Sequence, residues 1–241
     1  FDVVKKEFVA GGFAVPEAKS WVAWRDIDTI YVGTDFGPGS MTTSGYTRIG
    51  KEWKRGTPLA EARTVFEGTV DDVNADITVI HDHGRTYELA SRSPTFFTDE
   101  MFVRRGDEFV RIEKPADTRL RFFGDAALFE PRTDWTVGGK TWPAGTLLST
   151  DFDSWMRGER NLVPVFEPTA RASLSSIHST KSCLILNILE NVRSRPVLLH
   201  LEKGAWKRTP LEVPEIGVVG AHGVDPDEND DYFLDVTSFL T

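Results

Sequence analysis

The stretch ITVIHDHGRTYELAS, residues 77–91, alternates apolar and polar residues, reaches a tight polar turn and continues into a more apolar run. Alternation with a period of two is typical of a half-buried β-strand, and a short turn between two such runs indicates a hairpin. The same pattern occurs four more times, as VAWRDIDTIYVGT (22–34), LRFFGDAALFEPR (120–132), LSSIHSTKSCLILNI (174–188) and VVGAHGVDPDENDDYFLDV (218–236). The sequence therefore predicts a protein built largely from repeated β-hairpins.

The spacing of these hairpins favours one kind of all-β fold. Their turns fall near residues 28, 84, 125, 181 and 229, so that successive turns are 41 to 56 residues apart. A blade of a β-propeller takes about 40 to 50 residues for four antiparallel strands, and loops such as 36–45 and 134–145 account for the longer steps. We therefore expect an all-β chain that forms about four to five blades of a β-propeller. A β-sandwich or an irregular barrel would also contain many short strands.

The expected blades are 1–70, 71–116, 117–168, 169–214 and an incomplete 215–241. Helix is expected in only two places, as one turn at 60–63 and as a short helix within 151–161. Sheets that pack on one another bury their inward apolar residues. This predicts burial of Val22, Trp24, Ile77, Val79, Leu184 and Leu186.

Composition and charge restrict the partners of the chain. It has 241 residues, of which 40% are hydrophobic, enough to form a buried core. Lys and Arg number 28 against 37 Asp and Glu, for a net charge of −9, and no basic face is concentrated, so no nucleic-acid partner is expected. No apolar run approaches the roughly 20 residues that cross a bilayer, so no membrane partner is expected. The lone Cys183 excludes an internal disulfide and leaves the cellular compartment open.

Three stretches resemble a known family. They are FDVVKKEFVAGGFAVPEAKSWVAWRDIDTIYVGTDFGPGS (1–40), GYTRIGKEWKRGTPLAEARTVFEG (45–68) and DPDENDDYFLDVTSFLT (225–241). Each is similar to a part of the propeller of prolyl oligopeptidase-like serine peptidases. The resemblance keeps the family's order, covers most of the chain and is strongest at both ends.

The resemblance implies a seven-bladed propeller that sits over the active site of an α/β-hydrolase domain and admits only short peptides. The partners of this chain would then be the hydrolase domain of the same polypeptide and short peptide substrates. The hydrolase domain is expected downstream of Thr241, and earlier blades upstream of Phe1. A fragment of this kind would leave its terminal sheets uncovered, so self-association through them is expected.

The chain contains no recognisable catalytic serine. The nucleophile of such a hydrolase lies in a G-x-S-x-G turn, whose small residues permit a strained backbone. No Ser in this sequence has Gly both two residues before it and two residues after it, and Ser40 and Ser44 lie in Gly-rich turns only. No catalytic, cofactor-binding or metal-binding residue is assigned, and the chain by itself is expected to be inactive.

The histidines and acidic residues have simpler explanations than a site. His81 and His83 could share a metal ion because they alternate along one strand, but spacing fixes no third ligand, and an exposed hairpin tip also explains them. His178 and His222 each precede a hairpin turn. An acidic run could suggest a calcium loop or the paired carboxylates of a propeller glycosidase, although a solvated turn is sufficient. The run consists of Asp225, Asp227, Glu228, Asp230 and Asp231.

The tryptophans do not predict one binding platform. Trp21 and Trp24 fall on opposite faces of a strand because they are three residues apart. The others are scattered along the chain, as expected for packing: Trp53, Trp135, Trp142, Trp155 and Trp206. The Gly-rich FGPGS (36–40) precedes no helix pattern and no Lys-Ser or Lys-Thr, so it is no phosphate cradle.

The hypothesis that follows is the substrate-gating propeller portion of a prolyl oligopeptidase-like peptidase. The alternatives are a stand-alone propeller that binds other proteins and, third, a propeller glycosidase. The reading frame beyond Thr241 separates the first two, because a G-x-S-x-G motif there supports the peptidase and a stop codon supports the scaffold.

Overall fold

The computed structural model describes residues 1–214 and 217–238. Within these ranges the single α-helix, α1, is Phe152–Met156, and the expected helical turn near 60–63 is a 3-10 turn at Leu59–Glu61. No helix of the described part has the length and apolar composition needed to cross a membrane. The strands are β1 Trp21–Asp26, β2 Thr29–Gly33, β3 Ile49–Lys54, β4 Arg63–Glu67, β5 Asn74–Asp82, β6 Arg85–Thr95, β7 Thr98–Arg105, β8 Glu108–Arg111, β9 Arg119–Phe123, β10 Ala126–Glu130, β11 Trp135–Val137, β12 Lys140–Trp142, β13 Leu147–Asp151, β14 Val163–Phe166, β15 Ala172–Ser179, β16 Cys183–Glu190, β17 Arg193–Glu202, β18 Ala205–Pro210, β19 Val218–Gly223 and β20 Tyr232–Thr237.

These strands form consecutive antiparallel sheets. β1–β4, β5–β8 and β15–β18 are four-stranded sheets in chain order, and another four-stranded sheet runs β9, β10, β13, β14. β19 and β20 pair as a hairpin. The prediction of an almost wholly β chain of four-stranded units is therefore confirmed. The expected start of the last blade at 215 and the end of the chain at 239–241 lie outside the described residues.

Residues 134–145, expected to be a loop, form the additional hairpin β11–β12. Trp135 pairs with Trp142 across it. Its turn is Gly138-Gly139, with φ of 59° and 77°, and two successive residues of positive φ suit the tight turn that joins antiparallel strands. Trp135 packs against Phe129 at 5.7 Å between ring centroids, so the hairpin lies on the β9–β14 sheet.

The described chain divides into two compact units. Unit 1 contains Phe1–His81 and Thr86–Ala116. Unit 2 contains Asp82–Arg85, which is the tip of the β5–β6 hairpin, together with the described residues from Asp117 onward. The core of unit 2 joins strands of different sheets in one cluster, including Phe123, Leu128, Leu147, Leu184 and Leu199.

The predicted burial of strand residues is only partly correct. Ile77, Leu184 and Leu186 are buried, and Val79 is half-buried. Val22 and Trp24 were predicted to be buried and are 55% and 54% exposed, so that prediction is wrong.

The opposite face of β1 is the inward one. Trp21 and Ala23 pack against the buried cluster of Tyr31, Ile77 and Ala90. The next residue on that face, Arg25, forms ion pairs with acidic side chains of unit 1. The strand alternates as predicted, with Trp21 and Trp24 on opposite faces, but both faces carry apolar residues, and its partners decide which face is covered.

Candidate functional site

The tips of several hairpins meet in unit 2. The Gly124 N–H, at the β9–β10 turn, donates to Asp82 Oδ2 at 2.6 Å. His83 Nδ1 lies 3.0 Å from the same carboxylate oxygen, and His83 Nε2 lies 2.8 Å from the main-chain oxygen of Thr180, which precedes the β15–β16 turn. The His83 ring also packs on Phe123, with 4.1 Å between ring centroids. The β5–β6 tip therefore contacts the tips of two other hairpins.

The β19–β20 turn joins the same arrangement through Asp230. Thr180 Oγ1 donates to Asp230 Oδ1 at 2.7 Å, and the Ser182 N–H donates to the same oxygen at 2.7 Å. Ser182 Oγ donates to Asp230 Oδ2 at 2.8 Å. We call Asp82, His83, Gly124, Thr180, Ser182 and Asp230 the hairpin-tip network. It fixes the turns of four hairpins by bonds between side chains and main chain.

Hydrogen bonding to Asp230 stabilises its charged form. The bond from Thr180 is the largest cause that lowers the pKa of the Asp230 carboxyl below its ordinary value of 3.8; burial opposes it, and the bonds from Ser182 add to it. A carboxyl whose pKa is lower in the folded state stabilises that state above its ordinary pKa. That contribution is lost as the pH falls through the lowered value.

We therefore expect the Ser182 amide proton to titrate in the native chain with a midpoint below 3.8. Nuclear magnetic resonance of the amide signal during acidification measures this midpoint. Asp230→Asn should remove the titration of the Ser182 signal because an asparagine side chain does not take up a proton in this pH range. Asp231→Asn, at an exposed neighbouring residue, should leave the titration in place. A midpoint at or above the ordinary value contradicts the assignment of Asp230 as the acceptor.

A second group of polar side chains lies on the first strands of the sheets of unit 2. Arg121 on β9 is exposed. The imidazoles of His178 on β15 and His222 on β19 are 6.0 Å apart between centroids, and His222 Nδ1 lies 3.2 Å from Asp235 Oδ2 on β20. The pKa of His178 is lowered, first by burial and then by the nearby charges of His222 and Arg121. We call Arg121, His178 and His222 the edge cluster.

His81 and His83, which were considered as a metal pair without being assigned as one, lie in different surroundings. His81 is exposed, and its Nδ1 lies 3.0 Å from Thr86 Oγ1. β5 ends at Asp82, so His83 lies in the turn with φ of 49° and its side chain is only 11% exposed, which corrects the expectation of an exposed tip. Among residues 1–214 and 217–238, no group of three or more His, Cys, Asp or Glu side chains could hold a metal ion.

The Gly-rich serine and the acidic run are turn residues. Ser40 is buried, and its Oγ contacts the main chain of Phe36 at 2.9 Å and of Gly37 at 2.7 Å. Asp225 Oδ1 accepts the N–H groups of Asp227 and Glu228 at 3.1 and 3.3 Å. The interpretation of 225–231 as a turn is confirmed.

Cys183 forms a contact that sequence reasoning missed. Its thiol is buried, and Sγ lies 3.3 Å from His200 Nδ1 and 3.4 Å from His200 Nε2. The two residues are direct partners across β16 and β17. The cysteine therefore packs beside the hairpin-tip network and is shielded from solvent.

No family model matches the chain. The chain is 33% identical to an uncharacterized peptidase of Sinorhizobium fredii, over 100% of this chain and 34% of that protein. It is 27% identical to an uncharacterized peptidase of Rickettsia prowazekii, over 89% of this chain and 32% of that protein. The chain thus spans about a third of the length of the curated relatives it matches.

The fold is similar to that of solved enzymes. A post-proline cleaving enzyme from Rickettsia typhi matches with a TM-score of 0.85 and 22% identity, over 97% of this chain and 36% of that one. A structure from work on two prolyl endopeptidases matches with a TM-score of 0.62 and 17% identity, over 92% of this chain and 32% of that one. The all-β propeller prediction is confirmed by this likeness of fold.

Proposed function

We propose that this chain is the substrate-gating portion of a prolyl oligopeptidase-like peptidase, because its fold is that of the β-propeller of such enzymes and its sequence is similar to those of two peptidases. Peptide bonds would be cleaved in an α/β-hydrolase domain of the same polypeptide, and short peptides would be the substrates. The isolated chain would self-associate through exposed apolar residues such as Trp24. We propose the blade bounds 1–70, 71–116, 117–168, 169–214 and 215–241.

The hairpin-tip network is the observation that carries this proposal. The turns that surround the opening of a gate form its rim, and they must be held in place. Mobile turns there would admit folded proteins and bulk water to the peptide bond that is cleaved. Turns are ordinarily the mobile parts of a β-protein. Here Asp82 and Asp230 each accept a main-chain N–H of another hairpin, at 2.6 and 2.7 Å respectively, which restrains the turns themselves.

The chemistry would be that of a serine hydrolase, in which a Ser attacks the peptide carbonyl, a His accepts its proton and an Asp orients the His. This chain lacks the G-x-S-x-G turn that such a Ser needs. Its own residues would act before the chemical step. They would bind, orient and select the peptide.

Cleavage by the full-length polypeptide tests the gate. We expect it to cleave a proline-containing peptide of about 10 residues far faster than one of about 40 residues, because only the shorter one passes a narrow rim. Asp82→Ala removes the carboxylate that accepts the Gly124 N–H. We expect this to reduce the preference for the short peptide, measured as a ratio of kcat/KM, by up to about tenfold, or ~1.4 kcal/mol. Asp71→Ala, at an exposed acidic residue of unit 1, is the matched control.

The separated 241-residue chain should neither cleave the short peptide nor react with a serine-directed phosphonate. Stoichiometric labelling of the chain would overturn the assignment of chemistry to another domain. A full reading frame that encodes no hydrolase domain would overturn the peptidase proposal and favour a binding scaffold. An unchanged length preference in Asp82→Ala would show that the network does not form the rim.

A further inference from the structure

The edge cluster has a chemistry that the gate itself does not require. Arg121, His178 and His222 lie on β9, β15 and β19, the first strands of three consecutive sheets, each shortly before its hairpin turn. Arg121 and His178 are exposed and His222 is half-exposed. The His178 and His222 rings are 6.0 Å apart between centroids, and Arg121 has the corresponding position, shortly before the turn, on the first strand of the preceding sheet. We therefore place the three side chains together as one candidate ligand site.

Each imidazole of the cluster uses one nitrogen in a protein contact. His178 Nε2 lies 3.1 Å from Ser176 Oγ, and His222 Nδ1 lies 3.2 Å from Asp235 Oδ2. Among the described residues, His178 Nδ1 and His222 Nε2 have no hydrogen-bond partner in the protein. Two nitrogens and the Arg121 guanidinium therefore remain for a ligand.

The charges favour an anion over a metal ion. A metal site would have only two imidazoles here, and no third His, Cys, Asp or Glu completes it within the described ranges. The Arg121 charge is also a minor cause of the lowered pKa of His178, after burial and His222, and a positive guanidinium beside the imidazoles opposes a metal cation. The same guanidinium pairs readily with a carboxylate by two parallel hydrogen bonds.

We propose that Arg121, His178 and His222 bind a carboxylate of the peptide substrate and so position it at the first strands. The inference rests on the proposed function, which supplies peptides as ligands. The carboxylate could be the C-terminus of a short peptide or an Asp or Glu side chain, because both offer the same two oxygens. Selection of a free C-terminus would favour short peptides through binding, in addition to any exclusion by size.

Binding should depend on pH with a defined sign. The groups that face His178 are His222 on β19, Arg121 on β9 and Ser176 on its own strand, with Asp235 of β20 behind His222. A bound carboxylate stabilises the imidazolium form of His178, whose pKa is lowered in the free chain, so binding takes up a proton. Affinity should therefore decrease as the pH rises from below 6.5, the ordinary pKa of this imidazole.

The experiment measures peptide binding to the 241-residue chain by nuclear magnetic resonance of the imidazole signals. The first probe is an N-acetylated Gly-Pro-Ala peptide with a free carboxyl, and its C-terminal amide is the second. The third probe is an N-acetylated Gly-Pro-Asp amide, which carries only a side-chain carboxylate. Binding of the first probe alone identifies the C-terminus as the ligand, and binding of the third identifies a side chain.

Arg121→Gln and His178→Gln should each weaken binding of the active probe about tenfold. Arg119→Gln is the matched control, because Arg119 is an exposed arginine of the same strand and face and lies 3.7 Å from Glu130. Equal affinity of Arg121→Gln and Arg119→Gln would overturn the proposal, as would failure of both carboxylate-bearing probes to bind more tightly than the neutral Gly-Pro-Ala amide. The assay needs no hydrolysis, so it can fail while the gating experiment succeeds, and the reverse also holds.

Discussion

Replacing Arg104 with Met is expected to lower the free energy of unfolding of unit 1 by about 3 kcal/mol. The Arg104 side chain is only 5% exposed, and its Nη1 donates to Glu52 Oε2 and to Tyr31 Oη at 2.6 Å each. Tyr31 Oη in turn donates to Glu88 Oε2. Arg104 is thus the buried cation of a network that includes the carboxylates of Glu52 on β3 and Glu88 on β6.

The physical reason is the charge that the substitution leaves behind. Met retains much of the packing of the arginine stem but donates no hydrogen bond. Glu52 and Glu88 would then keep only more exposed partners. Arg25 is 3.1 and 3.4 Å from them and 32% exposed, and Arg63 is 3.4 Å from Glu52 and 51% exposed. Removing one partner of a buried pair typically costs about 3 to 5 kcal/mol, and the residual exposure of both carboxylates places this case at the lower end.

The burial of Tyr31 also predicts that Arg104→Met is destabilising. The pKa of its hydroxyl is raised, first by burial, then by its hydrogen bond to Glu88 and by the charge of Glu88. The hydroxyl is therefore held protonated as a donor, while Arg104 occupies its acceptor side. Loss of Arg104 leaves that acceptor side unpaired, which adds to the cost.

Urea unfolding followed by tryptophan fluorescence measures the effect, since unit 1 contains Trp21, Trp24 and Trp53. Arg111→Met is the matched control. Arg111 is 50% exposed and lies 3.3 Å from Glu100, and exposed pairs of this kind contribute less than about 1 kcal/mol. Equal destabilisation by the two variants would show that the Arg104 network does not stabilise the unit.

The hairpins could be predicted from the sequence because their signals are local. Alternation along 77–91 and its Gly84 turn depend only on neighbouring residues, and β5 and β6 form where that pattern predicts. The failure at β1 has an equally simple origin. WVAWRD carries an apolar residue on each face in turn, so period alone cannot tell whether Val22 or Ala23 is covered.

The polar sites could not be predicted because their partners are distant in sequence. Five acidic residues between 225 and 231 look alike in the sequence, yet Asp230 accepts hydrogen bonds from Thr180 and Ser182 on another hairpin. His178 and His222 likewise come together only when β19 packs on the β15–β18 sheet. A useful sequence signal would have been a polar residue shortly before the turn in successive repeats, which Arg121, His178 and His222 share.

The packing of β19 depends on one buried amide. Asn187 on β16 is 7% exposed, and its Nδ2 donates to Ala221 O at 2.8 Å while the Ala221 N–H donates to its Oδ1 at 2.9 Å. Nδ2 also donates to Ser176 Oγ at 2.8 Å. A second anchor is weaker, because the Val219 N–H donates to Ser194 Oγ alone, at 3.0 Å.

Asn187→Ala is expected to destabilise the attachment of the β19–β20 hairpin by about 3 kcal/mol. Ala221 is 1% exposed, so both of its main-chain groups would lose a partner away from water, at about 1 to 3 kcal/mol for each group. Hydrogen exchange of the Ala221 and Val219 amides should accelerate by about a hundredfold, since every 1.4 kcal/mol is a factor of ten. Ser194→Ala removes one bond and should have a smaller effect, and Asn161→Ala, at an exposed asparagine, should have none. If Asn187→Ala and Asn161→Ala exchange alike, β19 is held by contacts other than the Asn187 amide, and the position of His222 in the edge cluster then depends on those contacts.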